Sequence, residues 1–281
     1  MKKVFFPLFK SFKCIANKCP MNCCALRAPF FEWEADMFDT KPEWQDVDGN
    51  KHNIKEFLHK EDGCWICNTD ERNFCVFCNG DEMCSLQLRY GESAMPSVCR
   101  TFPRIITRFP DRVEYSLDSC CPVVNYSLKN WTIGGFLTED DSGCINTADA
   151  GYKDREKVMD CFADPHRSLA DCFRTIALTY NSERTVAIPC LTRSREDFLR
   201  KICAFHFYSY VLAYEGYPGI DNVGDVLLEF YSEYVPTLPE CPDDWEAMSR
   251  HFAAGLSAFV RRIGFDLEIE DRHCDSSDFI P

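Results

Sequence analysis

The distribution of cysteines is the feature that most constrains this chain. The stretch CIANKCPMNCC, residues 14–24, holds four cysteines in eleven positions, and twelve of the nineteen cysteines fall between positions 14 and 121. A chain of 281 residues that is 46% hydrophobic can bury a sizeable core, so it does not need disulfides in order to fold. The clustered thiols therefore need another explanation.

The N-terminal sequence and the hydropathy pattern favour a cytoplasmic protein. The apolar run 4–9 is interrupted by Pro7 and followed by Lys10, which makes it shorter than the apolar segment of a secretory signal peptide. No stretch approaches the roughly 18–20 apolar residues of a membrane span, so we expect no membrane contact. In a reducing compartment, clustered cysteines are more often metal ligands or redox groups than disulfides.

The charge of the chain bears on its partners. A formal net charge of −14 disfavours binding to the phosphate backbone, so we expect no nucleic-acid partner. The same negative charge attracts a basic partner, including exposed lysines on another protein. The alternative is that the charge only keeps the protein soluble, as it does in most acidic proteins.

The apolar pattern changes character near residue 140. Residues 1 to about 125 are rich in cysteine, proline and polar turns, and we expect short helices and irregular loops there. One helix is predicted over PFFEWEADMFDT, where Phe30, Trp33 and Met37 form a core-facing stripe. The acidic and small residues of 138–154 indicate a linker. We therefore predict a mainly α protein, with an irregular Cys-rich metal-binding domain at 1–137 and a helical bundle domain at 155–281.

The second half has clear helix signals. Apolar residues recur at three- and four-residue steps on both sides of Pro165, which predicts two helices with a break between them. A long helix is predicted from the Thr and Ser cap candidates at 192–194 to Gly216. Two further helices are predicted over DNVGDVLLEFYSEYV and over CPDDWEAMSRHFAAGLSAFVRRIGF.

A second group of cysteines has the spacing of a metal site. The segment GCWICNTDERNFCVFCNGDEMC, residues 63–84, reads C-x2-C-x7-C-x2-C-x5-C. Two CxxC pairs favour a thiolate site, because each pair can offer two sulfurs on a tight turn. The loop between the pairs is shorter than that of a usual zinc ribbon. Zinc and iron–sulfur clusters both accept four thiolates, so the spacing leaves the metal open.

The opening cysteines allow a similar interpretation. Cys19 and Cys23 are four residues apart and would share one face of a helix, with Cys14 near enough to join them. Cys23 and Cys24 are adjacent and would point apart on regular backbone. One of these two thiols would then serve a second site or pack as a small apolar group.

Three motifs occur in a fixed order along the first half. The first is C-x4-C-x3-C-C. The second is MCSLQLRYGESAMPSVCRTFPR, residues 83–104, and the third is EYSLDSCCP, residues 114–122. This ordered set resembles the flagellin lysine N-methylase family, part of a wider group of cysteine-cluster proteins that chelate zinc or iron. The matching positions are Cys14, Cys19, Cys23, Cys24, Cys64, Cys84, Gly91, Glu92, Cys99, Arg100, Pro103, Arg104, Glu114, Ser116, Leu117 and the run 119–122.

The resemblance implies an activity and its cofactors. It implies a protein lysine N-methyltransferase that uses S-adenosylmethionine and a Cys-ligated 4Fe-4S cluster, with zinc as the alternative metal. The partner would be a protein with exposed lysines, flagellin being one candidate. The other interpretation is a zinc- or iron-chelating protein without catalysis. Spacing and resemblance together give the candidate metal ligands Cys14, Cys19, Cys23, Cys24, Cys64, Cys67, Cys75, Cys78, Cys84, Cys99 and Cys121.

Two further groups of side chains are candidates for binding. Arg100 and Arg104 flank the motif around Cys99 and could balance the charge of a cluster or hold the carboxylate of the cofactor. Ordinary surface salt bridges are the alternative. His206, Tyr210, Tyr214 and Tyr217 recur along one predicted helix face and could enclose a lysine side chain, or form an amphipathic core face. The sequence assigns no catalytic residue.

Overall fold

The chain forms two compact units. The computed structural model describes residues 2–19, 21–26, 29–40, 44–45, 50–61, 64–139, 150–215, 222–238 and 244–263. Unit 1 comprises Met1–Met21 and Phe102–Phe259, and unit 2 comprises Asn22–Thr101 and Val260–Pro281. The domain boundary predicted at 138–154 falls largely on 140–149, outside the described residues, and stays a prediction.

The described part of the chain is mainly α-helical and also contains sheets. Its strands are β1 (Lys2–Phe5), β2 (Pro29–Phe30), β3 (Trp44–Gln45), β4 (Lys51–His52), β5 (Leu58–Glu61), β6 (Cys64–Cys67), β7 (Arg104–Arg108), β8 (Arg112–Leu117) and β9 (Leu137–Glu139). Its helices are α1 (Glu32–Met37), α2 (Ser85–Tyr90), α3 (Ser97–Thr101), α4 (Pro122–Ser127), α5 (Ala150–Ala163), α6 (Leu169–Thr179), α7 (Arg193–Glu215), α8 (Val223–Tyr234) and α9 (Trp245–Ile263). None of these helices is long and apolar enough to cross a membrane.

Unit 1 contains a four-stranded sheet of order β7-β8-β1-β9. β1 runs parallel to β8, with Phe5 opposite Tyr115, and antiparallel to β9. The expectation of only short helices and irregular loops before residue 125 is therefore wrong. The sequence of β8, RVEYSL, alternates polar and apolar residues, a strand signal that the prediction overlooked. Both faces of β8 are nevertheless mostly buried, because Arg112 and Glu114 find polar partners in the core.

Helices α5–α8 of unit 1 pack together, and α7 also contacts β7 and β8. Pro165 lies in the break between α5 and α6, as predicted. α6 begins after Ser168, whose hydroxyl accepts a hydrogen bond from the backbone N–H of Asp171 while the Asp171 carboxylate accepts one from the Ser168 N–H. The predicted helices over α7, α8 and α9 are confirmed.

A buried ion network joins the sheet of unit 1 to its helices. The Glu114 carboxylate of β8 accepts hydrogen bonds from Arg112 Nε and, at 2.6 Å, from the guanidinium of Arg155 on α5. Its other oxygen accepts a hydrogen bond from the Tyr208 hydroxyl of α7 at 2.9 Å. All four side chains are at most 2% exposed. Because removing one partner would leave a buried charge uncompensated, this network fixes the packing of α5 and α7 on β8.

Unit 2 is smaller and contains a second core. Strands β2, β6 and β5 form an antiparallel sheet, and β3 pairs with β4. The predicted helix over PFFEWEADMFDT is confirmed only in part, because α1 covers Glu32–Met37 while Pro29–Phe30 forms β2, where Phe30 is buried. The predicted burial of Trp33 is wrong, since that side chain is 44% exposed. Glu34 and Ala35 are buried instead, because the Glu34 carboxylate accepts backbone hydrogen bonds there.

A candidate metal centre built from thiols

Cys23 and Cys24 of unit 2 lie in one turn of 3-10 helix, Cys23–Leu26. Their thiols influence each other's pKa, whereas adjacent cysteines on regular backbone would point apart. The irregular backbone of this short turn allows the contact. The hydrogen bond from Cys24 lowers the pKa of Cys23 to about 7, and the same bond raises the pKa of Cys24 far above its usual range.

Cys67 and Cys75 form the second thiol pair. Cys67 ends β6 and is 3% exposed, and its side chain is hydrogen-bonded to that of Cys75. This bond and burial raise the pKa of Cys67, whereas the bond lowers the pKa of Cys75. In each pair one thiol thus supports the ionised form of the other, and a thiolate is the form of cysteine that binds metals.

The two CxxC segments differ in backbone structure. Cys64 and Cys67 are the ends of strand β6, so the first segment is extended and is not the tight turn that its spacing predicts. The second segment is a turn, in which the Cys78 N–H donates to the Cys75 carbonyl at 2.8 Å. Cys78 then pairs with Cys84 in an isolated antiparallel bridge. The side chain of Cys64 lies outside the described part of the structure.

Seven thiols of unit 2 are near enough to influence one another's pKa. Cys75 is the common member, because its charge acts on Cys24, Cys84 and Cys99 in addition to its bond with Cys67. Burial, followed by the neighbouring thiols, raises the pKa of the half-buried Cys84, whereas Cys99 on α3 is exposed. We call this group the unit 2 thiol cluster, and its members are Cys23, Cys24, Cys67, Cys75, Cys78, Cys84 and Cys99.

The unit 2 thiol cluster has the donor chemistry of a soft-metal site. An all-sulfur donor set suits zinc or an iron–sulfur cluster. Among the described residues, however, no three His, Cys, Asp or Glu side chains are placed so that they could hold a metal ion together. Metal–sulfur bonds of about 2.3 Å would have to replace the thiol–thiol hydrogen bonds of the two pairs.

Two residues that hold the thiol-bearing segments were not found from the sequence. The Asn22 amide donates to Cys78 Sγ at 3.3 Å, and its oxygen accepts from the Cys24 N–H at 3.0 Å. Glu34, 2% exposed, accepts hydrogen bonds from the backbone N–H of Phe31 and of Ser97, the first residue of the helix that carries Cys99. An Asn just before a cysteine pair is the only local signal for Asn22, and Glu34 has none.

The remaining candidate ligands belong to unit 1. Cys14 is exposed, and its sulfur accepts a hydrogen bond from the Ala16 N–H at 3.3 Å. Cys19 and Cys121 are neighbours, since burial and then the charge of Cys19 raise the pKa of Cys121 to about 12. Cys120, which was not among the predicted ligands, lies beside Cys121 with its backbone N–H donating to the Asp118 carboxylate at 2.7 Å.

The two candidate arginines have different surroundings. Arg100 lies in α3 of unit 2, directly after Cys99, and its Nε atom is buried without a hydrogen-bond partner in the part of the chain that the structure describes. Arg104 begins β7 of unit 1, where its guanidinium donates to the Phe12 carbonyl at 3.4 Å and lies over the Phe12 ring. Arg100 is therefore the candidate with free hydrogen-bonding capacity.

The aromatic face on α7 is a core face at His206. This residue is 2% exposed, its ring contacts those of Tyr210 and Phe230, and burial lowers its pKa to about 3. An imidazole enclosed in the core in this way cannot reach a substrate lysine. The side chain of Tyr214 and the whole of Tyr217 lie outside the described residues. Comparisons of the chain with protein-family models, with curated proteins and with solved structures find no match.

Proposed function

We propose that the protein binds a metal through the unit 2 thiol cluster and, in the metal-loaded form, is a protein lysine N-methyltransferase that uses S-adenosylmethionine. The observation that carries the metal part is the position of Cys75, whose thiol influences the pKa of Cys67, Cys24 and Cys99, so that it is near thiols from three parts of the sequence. Cytoplasmic chains rarely gather so many thiols without a metal or redox purpose.

The cofactor part of the proposal rests on the resemblance and on Arg100. When bound, a 4Fe-4S cluster with an open iron position can chelate the amino and carboxylate groups of S-adenosylmethionine. The guanidinium of Arg100 follows Cys99 directly and has a buried Nε atom with no partner among the described residues. It would offer a charge-assisted hydrogen bond to the cofactor carboxylate.

The partner would be a protein with exposed lysines, such as flagellin. The net charge of −14 favours encounter with a lysine-rich surface. A lysine ammonium must lose a proton before its nitrogen can attack a methyl group. Enclosure of His206 excludes that residue as the base, so we assign no catalytic residue.

The alternative function is metal chelation without catalysis. It is favoured by the all-thiol donor set, which is the usual set of closed structural zinc sites. In that case the metal stabilises unit 2, because ligation energy and folding energy are coupled.

Calorimetry with S-adenosylmethionine separates the two functions. Protein purified without oxygen would be titrated in its metal-loaded form and after removal of the metal, with circular dichroism used to check that the stripped chain is folded. Saturable binding only to the loaded form supports the methyltransferase. Mass spectrometry of a co-expressed flagellin should then show added methyl groups on lysine. Absence of binding to the loaded form would leave chelation as the function.

A further inference from the structure

A second thiol pair lies in unit 1, outside the thiols proposed to bind metal. Cys161, near the end of α5, and Cys172, in the first turns of α6, have their sulfur atoms 3.7 Å apart. That is van der Waals contact, and a disulfide needs about 2.05 Å between the sulfurs. A small approach of the two helix ends would therefore close the bond.

The two thiols differ in access. Cys161 is partly exposed and, with Thr175, lines a surface cavity of about 620 Å³. The Thr175 hydroxyl, which donates a hydrogen bond to the Asp171 carbonyl at 2.8 Å, lies 3.5 Å from the Cys161 sulfur. Cys172 is 0% exposed, and burial together with the neighbouring Cys161 raises its pKa to about 12. An external reagent can thus meet Cys161 first, while Cys172 is sheltered behind it.

Arg200 lies beside Cys172 and offsets part of the effect of burial on its pKa. Its guanidinium is fixed by hydrogen bonds to the Phe162, Asp164 and Arg167 carbonyls, and one of its nitrogens lies 3.9 Å from Cys172 Sγ. A fixed positive charge beside a buried sulfur stabilises its thiolate. The N-terminus of α6 carries a partial positive charge, which also stabilises a thiolate at Cys172.

We infer that Cys161 and Cys172 form a reversible redox pair, with Cys161 as the attacking thiol and Cys172 as the resolving thiol. The oxidant is a low-molecular-weight disulfide of the glutathione type. Cys161 attacks one of its sulfurs, forms a mixed disulfide and releases one thiol. Cys172 then attacks Cys161 Sγ, and the second small thiol leaves. The two protein thiols lose two electrons and two protons, which reduce the small disulfide to two thiols.

Peptide mapping tests this pair directly. The full chain, purified without oxygen, would be incubated with mixtures of oxidised and reduced glutathione, quenched with N-ethylmaleimide and digested with trypsin. Cys161 and Cys172 fall in the neighbouring tryptic peptides 158–167 and 168–174. We expect a species in which these two peptides are joined, lighter than their sum by two hydrogen atoms, and its disappearance on reduction.

Two variants test the order of the steps. In Cys172→Ser, Cys161 should accumulate one bound glutathione, because no thiol resolves the mixed disulfide. In Cys161→Ser, glutathione should be incorporated at Cys172 at least tenfold more slowly, because that sulfur is buried. Cys203→Ala, which replaces another buried thiol of unit 1, should leave the joined peptides unchanged. Equal glutathione incorporation in the two serine variants would overturn the assigned order. Absence of the joined peptides from wild-type protein at the most oxidising mixture would overturn the redox pair itself.

Discussion

The side-chain amide of Asn22 donates a hydrogen bond to the sulfur of Cys78, 3.3 Å away and 56 residues later in the chain. The same side chain accepts a hydrogen bond from the backbone N–H of Cys24. Asn22 thus links the turn that bears the first thiol pair to the second CxxC segment. An amide that donates to a sulfur also lowers the cost of holding negative charge on a thiolate ligand.

Replacement of Asn22 tests this link. Asn22→Ala should reduce metal affinity by about 10-fold to 100-fold, the usual effect of losing a residue that supports a metal ligand. The measurement is competition for zinc with a chromophoric chelator. The matched control is Asn53→Ala, which removes an Asn that accepts a hydrogen bond from the Lys55 N–H in unit 2. If both variants bind zinc equally well, Asn22 has no part in ligation.

Replacement of Cys75, the common member of the unit 2 thiol cluster, should reduce metal binding more than replacement of Asn22 does. Cys75→Ser should abolish stoichiometric metal binding and lower the free energy of unfolding of the metal-loaded protein, because ligation and folding are coupled. Cys203→Ala serves as control, since this buried thiol of α7 belongs to unit 1. The control should lose about 1–2 kcal/mol of stability with its metal content unchanged. Equal metal loss in both proteins would refute the assignment of the cluster.

Arg100 provides a test of the cofactor site. Arg100→Gln should weaken binding of S-adenosylmethionine by roughly 1.5–3 kcal/mol, the range for a hydrogen bond to a charged group, without loss of metal. Titration calorimetry on the loaded protein measures the change. Arg104→Gln is the matched control, because the Arg104 guanidinium already contacts the Phe12 carbonyl and ring. An unchanged dissociation constant for Arg100→Gln would remove this residue from the site.

His206 predicts a specific dependence of stability on pH. Its pKa is about 3 in the folded chain, against about 6.5 when unfolded, so the folded state disfavours its protonated form. The contribution of the neutral His206 ring to the free energy of unfolding is therefore fully present above pH 6.5 and is lost as the pH falls towards 3. At pH 4 this loss amounts to about 3 kcal/mol.

Urea denaturation at several pH values would measure this effect. His206→Phe should lose less stability than wild type between pH 6.5 and pH 4. The control Phe230→Leu alters a ring packed on His206 and keeps the titrating group. This variant should be less stable than wild type at every pH, and its stability should change with pH as steeply as that of wild type. If the stability of His206→Phe changed with pH as steeply as that of wild type, His206 would not titrate in this range.

The helical half was predictable because its signals are local. Helices α5–α9 have apolar residues at helical steps, and capping residues or Pro165 mark their ends. The strand signal of β8, an alternation of polar and apolar residues, was overlooked. Its pairing with β1 across more than a hundred residues is a relationship that no local pattern records. Glu114 was noticed through the resemblance alone, and only the folded chain places it between two arginines.

The candidate site was predictable in composition and much less so in arrangement. Cysteine spacing indicated candidate ligands, and seven of them influence one another's pKa in unit 2, but among the described residues no three are placed so that they could hold a metal ion. The spacing failed for the first CxxC segment, since pairing of β6 with β5 holds its backbone extended. Roles such as those of Asn22 and Glu34 depend on partners distant in sequence, so they could not be predicted from local motifs.

Metal and sulfide analysis of protein purified without oxygen tests the central claim most directly. The account predicts a stoichiometric metal in the full chain, either iron with acid-labile sulfide and a brown colour or zinc without sulfide, and its loss in Cys75→Ser. Only trace metal, with the thiols of the unit 2 cluster all titratable or joined in disulfides, would contradict it.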